Sequence, residues 1–181
     1  MKIVNTAISD VLILEPLVHG DERGYFMETF RKSNFSEIDQ SLDFVQDNQS
    51  KSGMGTLRGL HYQLEFPQGK LVRAIAGEVF DVAVDIRRSS PSFGKWVGEI
   101  LSADNKKQLW IPPGFAHGIY VLSDTAEVVY KCTEYFHPED DHSLLWNDPE
   151  LAIDWPLVSP EPLLSEKDRN AMPLSQAALF P

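Results

Sequence analysis

The segment VFDVAVDI, residues 79–86, carries the most regular pattern in this sequence. Apolar side chains at positions 80, 82, 84 and 86 alternate with a second row that includes Asp81 and Asp85. Alternation with a period of two is typical of a β-strand whose two faces have different surroundings. The pattern therefore predicts a strand over residues 79–86.

Short apolar runs continue this pattern on both sides of the segment. Residues 71–76 precede it, with Gly77 and Glu78 as a tight connection. Further strands are predicted, with turn residues between them, at 99–101, 108–111, 119–122 and 127–133. Evenly spaced short strands are typical of a sandwich, jelly roll or barrel. Helix is predicted only at 33–40 and near 165–171, where Ser165 can cap a short turn.

Length and composition limit the class of protein. The chain has 181 residues, of which 43% are hydrophobic, so it can bury a core and fits one domain over residues 1–181. Its 27 acidic and 16 basic residues give a net charge of −11. This excess of acid argues against nucleic acid as a partner, because phosphate binding needs clustered cations. A small anionic ligand is still compatible, since a few cations can dominate one cleft.

The cysteine count and the first residues indicate the compartment. Cys132 is the single cysteine, which excludes an internal disulfide framework and a cysteine-based zinc site. The opening residues, MKIVNTAISDVLILEP, contain no apolar run long enough for a signal peptide or a membrane span. We therefore expect a cytoplasmic protein with no membrane partner.

Two histidines follow glycines in segments rich in functional side chains. His61 lies in LRGLHYQ (57–63), and His117 lies in PPGFAHG (112–118). Strand alternation places Arg58 and His61 on opposite faces, so both can reach one cavity only if the strand bulges near Gly59. A lone histidine is more often a surface or hydrogen-bonded core residue than a functional one. Spacing alone leaves both interpretations open.

Tyr130 belongs to an apolar row of the predicted strand at 127–133. Alternation places it with Val128 and Cys132, where a phenol usually packs in the core and makes one hydrogen bond. It could transfer a proton if this row lines a cavity. The charged run EKDR (166–169) has, by composition, the character of a solvated surface.

A metal site is the main alternative interpretation of these histidines. The segment PPGFAH fits the Pro-x-Gly-x-x-His motif of cupins, and His61, Glu65 and His117 are types that bind iron. The usual first cupin motif has a second histidine two residues after the first, where this chain has Gln63. Glutamine is a poor ligand for a transition metal, so we predict no bound metal.

Eight segments in order point to one family. They are RGYFMETFR, FVQDNQSKS, GTLRGLHYQ, QGKLVRAIAGEVFDVAVDIR, WIPPGFAHGIYVLSDTAEVVYK, WNDP, IDWP and LSEKD. With them the sequence resembles the dTDP-4-dehydrorhamnose 3,5-epimerases, cofactor-independent enzymes of nucleotide-sugar biosynthesis. The resemblance implies a mostly β fold, a cupin-type double-stranded β-helix (jelly roll) barrel with a few short helices near the termini, and no cofactor.

The resemblance also implies the reaction and its catalytic residues. The substrate is dTDP-4-dehydro-6-deoxy-D-glucose, which is epimerised at C3 and C5 to dTDP-4-dehydro-L-rhamnose in dTDP-rhamnose biosynthesis. Both carbons lie next to the C4 ketone, so their protons are acidic. Matching the family's motifs makes His61 the base, oriented by Asp168, and Lys70 the group that stabilises negative charge on O4. Tyr130 returns a proton on the opposite face.

Further residues are implied to bind the nucleotide sugar. Those matched to the diphosphate or nearby oxygens are Arg23, Arg58 and His117, and those matched to the nucleotide or its surroundings are Glu28, Gln46, Asn48, Asp141 and Lys167. Two positions depart from the family pattern. Phe136 stands where a tyrosine is usual, and Asp141 where a glutamate is usual. Both departures concern nucleotide affinity rather than the chemical step.

The family usually forms dimers in which an N-terminal strand of one subunit joins the sheet of the other. Residues 3–14 are apolar enough for this exchange, and Glu28 is expected near the shared edge. Two alternative functions remain: a relative that inverts only C3 of a related sugar, and a metal-dependent cupin oxygenase or non-catalytic sugar-binding module. Tyr130, Lys70 and Asp168 favour an epimerase over the second alternative.

Overall fold

The structure, a computed structural model, describes residues 1–35, 38 and 43–181. Strands dominate these residues, with two α-helices of one turn each and one 3₁₀ turn over Pro138–Asp140. The strands are β1 (Lys2–Asn5), β2 (Leu12–Glu15), β3 (Val18–Asp21), β4 (Gly24–Met27), β5 (Gln46–Gly53), β6 (Leu57–Gln63), β7 (Lys70–Ala76), β8 (Glu78–Asp85), β9 (Trp96–Ser102), β10 (Gln108–Ile111), β11 (Phe115–Val121), β12 (Thr125–Cys132) and β13 (Asp141–Ser143). The helices are α1 (Lys32–Phe35) and α2 (Glu166–Arg169).

Two antiparallel sheets form the body of the fold. One has six strands in the order β1-β2-β10-β7-β12-β5, and the other has five in the order β13-β6-β11-β8-β9. Both sheets contribute side chains to one buried cluster, such as Val72 and Val128 from the first sheet and Val79 and Ile119 from the second. The predicted mostly β, cupin-type jelly roll with a few short helices is confirmed.

Residues 79–85 of the segment VFDVAVDI lie in β8, and both faces of this strand are largely buried. Val79 and Ala83 pack between the sheets, whereas Val82 and Val84 pack against a second cluster that contains Trp155 from the C-terminal part of the chain. The row with the aspartates is therefore as buried as the apolar row. This explains why its polar members need specific partners, which are described below.

Gly77 makes the predicted tight connection, but β7 and β8 are not a hairpin. They belong to different sheets, so the turn carries the chain across the core. Gly77 has φ +67°, and a Cβ there would lie 2.0 Å from the carbonyl oxygen of Thr125. Only glycine fits this turn without moving the backbone.

The predicted C-terminal helix is confirmed as α2. The Ser165 hydroxyl accepts a hydrogen bond from the backbone N–H of Asp168 at 3.1 Å, which caps the helix. The predicted helix at 33–40 overlaps α1, and its later part, apart from Ile38, lies outside the described residues. Neither α1 nor α2, the helices of the described ranges, is long enough to cross a membrane.

The expected donated strand pairs within its own chain. Residues 3–14 contribute to β1 and β2, which pair with each other, and β2 also pairs with β10. Within the single chain these backbone ladders hold β1 and β2, and the exchange of residues 3–14 between subunits stays a prediction. The next two strands, β3 and β4, form a separate exposed ribbon that joins neither large sheet.

Candidate active site

A cavity of about 310 Å³ opens between the two sheets. Its walls come from β5, β7 and β12 of the six-stranded sheet and from β6 and β13 of the five-stranded sheet. The lining residues are Gln46, Asn48, His61, Tyr62, Gln63, Gln68, Lys70, Tyr130, Phe136 and Asp141. Six of the residues predicted for the site therefore meet in one place.

His61 is held by a buried carboxylate from the other end of the chain. Its Nε2 lies 2.6 Å from Oδ1 of Asp168, whose side chain is 3% exposed. Burial by itself raises the pKa of Asp168, but hydrogen bonds from His61, Ser165 and the backbone of Gly59 outweigh it and hold the pKa below its usual value. The carboxylate is therefore charged at neutral pH, and it fixes Nε2 as the protonated nitrogen of His61. Nδ1 is left to accept a proton.

The strand that carries His61 bulges beside it. His61 is opposite His117 in the ladder between β6 and β11, whereas Arg58 is opposite Ile119, so two residues of β6 face one residue of β11. Gly59 has φ +116°, and a Cβ there would lie 2.5 Å from the carbonyl oxygen of His117. The bulge that the sequence required near this glycine is present, and it resets the alternation between Arg58 and His61.

Arg58 lies close to the cavity without lining it. Its Nε donates to the Ser52 hydroxyl at 2.9 Å. Its charge is near enough to act on Tyr130, where it partly offsets the effect of burial on the phenol pKa. The structure thus places Arg58 at the edge of the site.

Lys70 and Tyr130 form the wall opposite His61. Burial lowers the pKa of the Lys70 amine and raises the pKa of the Tyr130 hydroxyl. Among the residues that the structure describes, no hydrogen-bond partner satisfies either group, and both line the cavity. Both polar ends are therefore available to a ligand.

Gln46 and Asn48 continue this wall along β5. The Gln46 side-chain amide donates to Oδ1 of Asn48 at 3.0 Å, and the Asn48 amide donates to the Cys132 sulfur at 3.6 Å. Gln46 also accepts a hydrogen bond from the backbone N–H of Phe136 at 3.0 Å. Phe136 is 49% exposed, so its ring is free to contact a ligand at the mouth.

Asp141 and Lys167 join β13 to α2 by an ion pair. Asp141 lines the cavity, and Lys167 immediately precedes Asp168 in α2. The pair therefore connects the cavity mouth to the helix that supports His61.

His117 is paired with a residue that sequence reasoning did not select. Its Nε2 lies 3.0 and 3.1 Å from the two oxygens of Asp81, whose side chain is 0% exposed. Asp81 belongs to the buried row of β8 with Val79 and Ala83. An acid between two apolar residues of one strand face was the signal in the sequence, because a buried charge requires a partner.

Arg23 and Glu28 are not brought to this cavity by the single chain. Arg23 lies in the turn of the exposed ribbon β3–β4, where it pairs with Asp21 at 2.5 Å. Glu28 follows β4 and pairs with Arg31 at 2.5 Å. The ribbon joins neither large sheet, and neither Arg23 nor Glu28 lines the cavity that contains His61.

The Gln63 side chain connects the loops at the mouth of the cavity by hydrogen bonds. Its amide donates to the Phe66 carbonyl at 2.6 Å, and its Oε1 accepts from the backbone N–H of His137 at 2.8 Å. Both ends of this side chain, which is 4% exposed, are therefore engaged by backbone. Over residues 1–35, 38 and 43–181, no three histidine, cysteine or acidic side chains cluster so as to hold a metal ion.

The two walls present complementary chemistry. The five-stranded sheet offers an imidazole fixed by a carboxylate, and the six-stranded sheet offers an amine and a phenol. A carbon held between them can lose a proton on one side and gain one on the other, while the amine stabilises negative charge. This arrangement suits inversion of a carbon next to a carbonyl group.

Comparisons with known proteins agree with this chemistry. A family model described as dTDP-4-dehydrorhamnose 3,5-epimerase matches residues 5–176. The chain is 57% identical, over the full length of both, to a dTDP-4-dehydrorhamnose 3,5-epimerase of Pseudomonas aeruginosa. Its fold is similar to a crystal structure of dTDP-6-deoxy-D-glucose-3,5-epimerase from Legionella pneumophila in complex with dTDP-4-keto-L-rhamnose, with a TM-score of 0.96, 54% identity and coverage of 99% of this chain and 97% of that one.

A more distant structural relative has a narrower activity. It is ChmJ, a 3'-monoepimerase from Streptomyces bikiniensis, with a TM-score of 0.87 and 34% identity, covering 94% of this chain and 87% of that one. The fold is thus compatible with inversion at one carbon or at two.

Proposed function

Because this chain belongs to the dTDP-4-dehydrorhamnose 3,5-epimerase family, we propose that His61, Lys70 and Tyr130 perform the epimerisation. The chain is an isomerase that converts dTDP-4-dehydro-6-deoxy-D-glucose to dTDP-4-dehydro-L-rhamnose. The observation that carries the assignment of roles is that His61 and Tyr130 line one cavity from opposing sheets.

A residue on the five-stranded wall of the cavity removes the proton from the sugar. Nδ1 of His61 takes the proton from C3 or C5, and the electron pair of the broken C–H bond moves into the bond to C4. The ketone oxygen O4 becomes an enolate, which the ammonium of Lys70 stabilises. Asp168 keeps the imidazole in the orientation and tautomer that this step needs.

The proton returns from the six-stranded wall. Tyr130 donates its hydroxyl proton to the same carbon from the opposite face, and the C4 ketone forms again. His61 then holds one proton more and Tyr130 one proton fewer, and exchange with water restores both. The sugar is inverted without any net oxidation, so the residues of this chain account for all electrons.

Exchange with solvent tests the reaction directly. The protein is incubated in heavy water with dTDP-4-dehydro-6-deoxy-D-glucose, and deuterium is located by NMR. We expect label at both C3 and C5. Label at C3 alone would identify a C3 epimerase instead, and no label at either carbon would contradict epimerisation.

Two substitutions separate the assigned roles. His61→Ala should abolish exchange at both carbons while dTDP still binds. Tyr130→Phe keeps the base, so it should allow exchange at the first carbon while slowing inversion. Tyr135→Phe, at a tyrosine that is 58% exposed, is the matched control and should leave both unchanged. Full activity of His61→Ala would refute the assignment of the base.

We also infer a homodimer in which the ribbon β3–β4 reaches the second subunit. The ribbon exposes apolar side chains, with Tyr25 60% and Phe26 72% exposed, and β5 is an edge strand beside the cavity. An exposed edge is a ready acceptor for another strand. Exchange of the ribbon would bring Arg23 and Glu28 to the cavity of the other subunit. This differs from exchange of residues 3–14.

A mixed dimer tests the exchange. Arg23→Ala and His61→Ala are each expected to be nearly inactive alone. Mixed after unfolding and refolding together, they should recover about a quarter of wild-type activity, because half of the random dimers contain one intact site. No recovery, or a monomer in solution, would contradict the exchange.

One domain over residues 1–181 and a cytoplasmic location stay predictions from the sequence.

A further inference from the structure

Two segments cross from one wall of the cavity to the other. The first crossing, residues 64–69, connects β6, which carries His61, to β7, which begins at Lys70. The second crossing, residues 133–140, connects β12, which carries Tyr130, to β13. Strands β6 and β13 belong to the five-stranded sheet, whereas β7 and β12 belong to the six-stranded sheet. The crossings therefore join the two walls that hold the groups assigned to the reaction.

Each crossing contributes a side chain to the cavity. Gln68 from the first crossing and Phe136 from the second line it, and Asp141 directly follows the second crossing. The crossings are also bonded to each other at this place, since the Gln68 amide donates to the carbonyl of Glu134 at 2.9 Å. The mouth of the cavity is thus built from the two crossings together.

Asp140, the last residue of the second crossing, binds the backbone of the first. Its Oδ1 accepts a hydrogen bond from the N–H of Leu64 at 3.1 Å. Its Oδ2 accepts from the N–H groups of Glu65 and Phe66, both at 2.9 Å. Successive backbone N–H groups that converge in this way form a site for an anion. Here the anion is a side chain of the protein itself, and it is 5% exposed.

The Asp140 carboxylate is charged at neutral pH. Burial by itself raises its pKa, but the three backbone hydrogen bonds and the nearby His142 outweigh burial and hold the pKa below its usual value. Nε2 of His142 lies 3.3 Å from Oδ1. An ionised carboxylate offers about four lone-pair sites, so it can accept all of these contacts at once. An amide or a methyl group in its place could not.

Asp140 differs from the buried aspartates of β8 in the kind of partner that it has. Asp81 pairs with the side chain of His117. Asp85 is bound mainly by side chains, which are those of Arg87, Ser90 and Ser92. Because the partners of Asp140 are consecutive backbone groups, it fixes the course of a whole segment rather than the orientation of one side chain.

Two further contacts join the crossings beside Asp140. The Phe66 ring stacks on His137, with the ring centroids 3.9 Å apart and the planes 14° from parallel. The Gln63 side chain bonds the Phe66 carbonyl and the backbone N–H of His137. All of these contacts use groups of the chain itself, so we expect the mouth to be ordered in the free enzyme.

We propose that Asp140 is a positioning residue that orders the two crossings in the free enzyme and thereby strengthens binding of the nucleotide part of the substrate. That the ligand is a nucleotide rests on the proposed function. A mouth that is ordered in advance loses less conformational entropy when its ligand binds. The hydrogen bonds of Asp140 involve none of the groups assigned to proton transfer, so its effect falls on binding and not on the chemical step.

Hydrogen exchange of the free enzyme tests the order of the mouth without any ligand. The backbone amides of Glu65 and Phe66, followed by NMR, should exchange slowly in the wild type. In Asp140→Ala they should exchange about tenfold faster or more, because local opening then costs less free energy. Fast exchange in the wild type that slows only after dTDP is added would overturn the proposal, even if Asp140→Ala fails to fold.

Binding and steady-state kinetics test the consequence for function. If the ordered mouth is populated only about a tenth of the time in Asp140→Ala, Kd for dTDP and KM should both rise about tenfold. The value of kcat should stay within about twofold of wild type. Asp140→Asn, which keeps one acceptor oxygen, should lie between the two proteins. An unchanged Kd, or a large fall in kcat at saturation, would overturn the proposal.

Asp148→Ala is the matched control. Asp148 is 1% exposed and also accepts three backbone hydrogen bonds, from the N–H groups of Glu150, Leu151 and Leu174. None of these residues lines the cavity. The control should therefore lower Tm about as much as Asp140→Ala while leaving Kd for dTDP unchanged. Equal increases in Kd for the two variants would show a merely structural role and overturn the proposal.

Failure of the proposed function gives a different result. If the wild type does not bind dTDP, the proposed function is wrong, and so is the ligand assigned to the mouth. Hydrogen exchange of the free enzyme then still decides whether Asp140 orders the two crossings, because that measurement uses no ligand.

Discussion

The two walls of the cavity hold their functional side chains in opposite ways. On the five-stranded sheet, His61 and His117 each contact a carboxylate that is almost fully buried. On the six-stranded sheet, Lys70 and Tyr130 line the cavity, and the described residues supply no hydrogen-bond partner for either. One wall is organised before the substrate arrives, and the other is completed by it.

This difference follows from what each wall must do. A base needs a defined tautomer and orientation, which a charged hydrogen-bond partner provides at all times. A group that stabilises developing charge works best when it is desolvated and unsatisfied, because its interaction then forms with the substrate. We therefore expect substitutions on the two walls to have different effects on stability while both reduce activity.

Asp168→Ala, on the organised wall, should have the largest effect. The imidazole of His61 loses its orienting carboxylate, and kcat should fall by about 10³-fold or more, as expected when the orienting acid of a histidine base is removed. Ser165 also loses a partner, so thermal stability should decrease. Steady-state kinetics and thermal unfolding measure both effects.

Glu166→Ala is the control for Asp168→Ala, since it changes an exposed acid of the same helix. Its activity should stay within about twofold of wild type, because exposed substitutions have small effects. If Asp168→Ala retained most of its kcat, the organised wall would not be catalytic.

Lys70→Met, on the opposite wall, should lower activity but raise stability. Loss of the ammonium should reduce kcat by about 10²- to 10³-fold, as for removal of one oxyanion donor. Burial lowers the pKa of this amine, so keeping it charged without a hydrogen-bond partner decreases the free energy of unfolding. Replacing it by an apolar chain of similar length should therefore raise Tm.

The control for Lys70→Met is Lys131→Met on the neighbouring strand β12, where the lysine pairs with Asp47 at 2.9 Å. It should leave kcat unchanged and should not raise Tm. A drop in Tm for Lys70→Met would contradict the description of this wall as unsatisfied.

Acid should weaken the organised wall specifically. The pKa of Asp168 is lower in the folded protein than its ordinary value of 3.8. Its contribution to stability is therefore fully present above the unfolded pKa and is lost as pH falls through the folded pKa. We expect the difference in free energy of unfolding between wild type and Asp168→Ala to shrink below about pH 4. Denaturant titrations at several pH values measure it, and a constant difference would refute the pairing as its source.

Phe136→Tyr should have the smallest effect, because it changes none of the groups assigned to the chemical step. It adds the hydroxyl that is usual in the family to a ring that is 49% exposed at the mouth. One added hydrogen bond is expected to lower the Kd for dTDP by a few-fold. The value of kcat should not change, and Phe66→Tyr, at another partly exposed ring, is the control. A change in kcat would show that the mouth and the chemical step are coupled.

Several elements of this protein could be predicted from local pattern alone. The strands at 79–86 and 108–111 and the cap at Ser165 depend on alternation and on hydrogen bonds between near neighbours, and the structure has all three. The inward position of Tyr130 also follows from alternation, since Val128 and Cys132 on the same row are buried.

Other elements depended on contacts that no local pattern contains. The pairing of Asp81 with His117 needs β8 and β11 to be neighbours, and the pairing of Asp168 with His61 joins positions 107 residues apart. Arg23 and Glu28 also show that the sequence does not determine which residues meet at the cavity. The family resemblance named them, but a single chain leaves them away from the cavity.

The sequence by itself determined the strands, their faces and the types of group available for catalysis, because these follow from alternation and side-chain chemistry. The tertiary structure alone decided which groups are satisfied and which are not. That property depends on how the two sheets and α2 come together, since burial and hydrogen-bond partners are set by packing and not by neighbours in the chain. Whether its hydrogen-bonding groups are satisfied also distinguishes the organised base on one wall from the unsatisfied amine and phenol on the other.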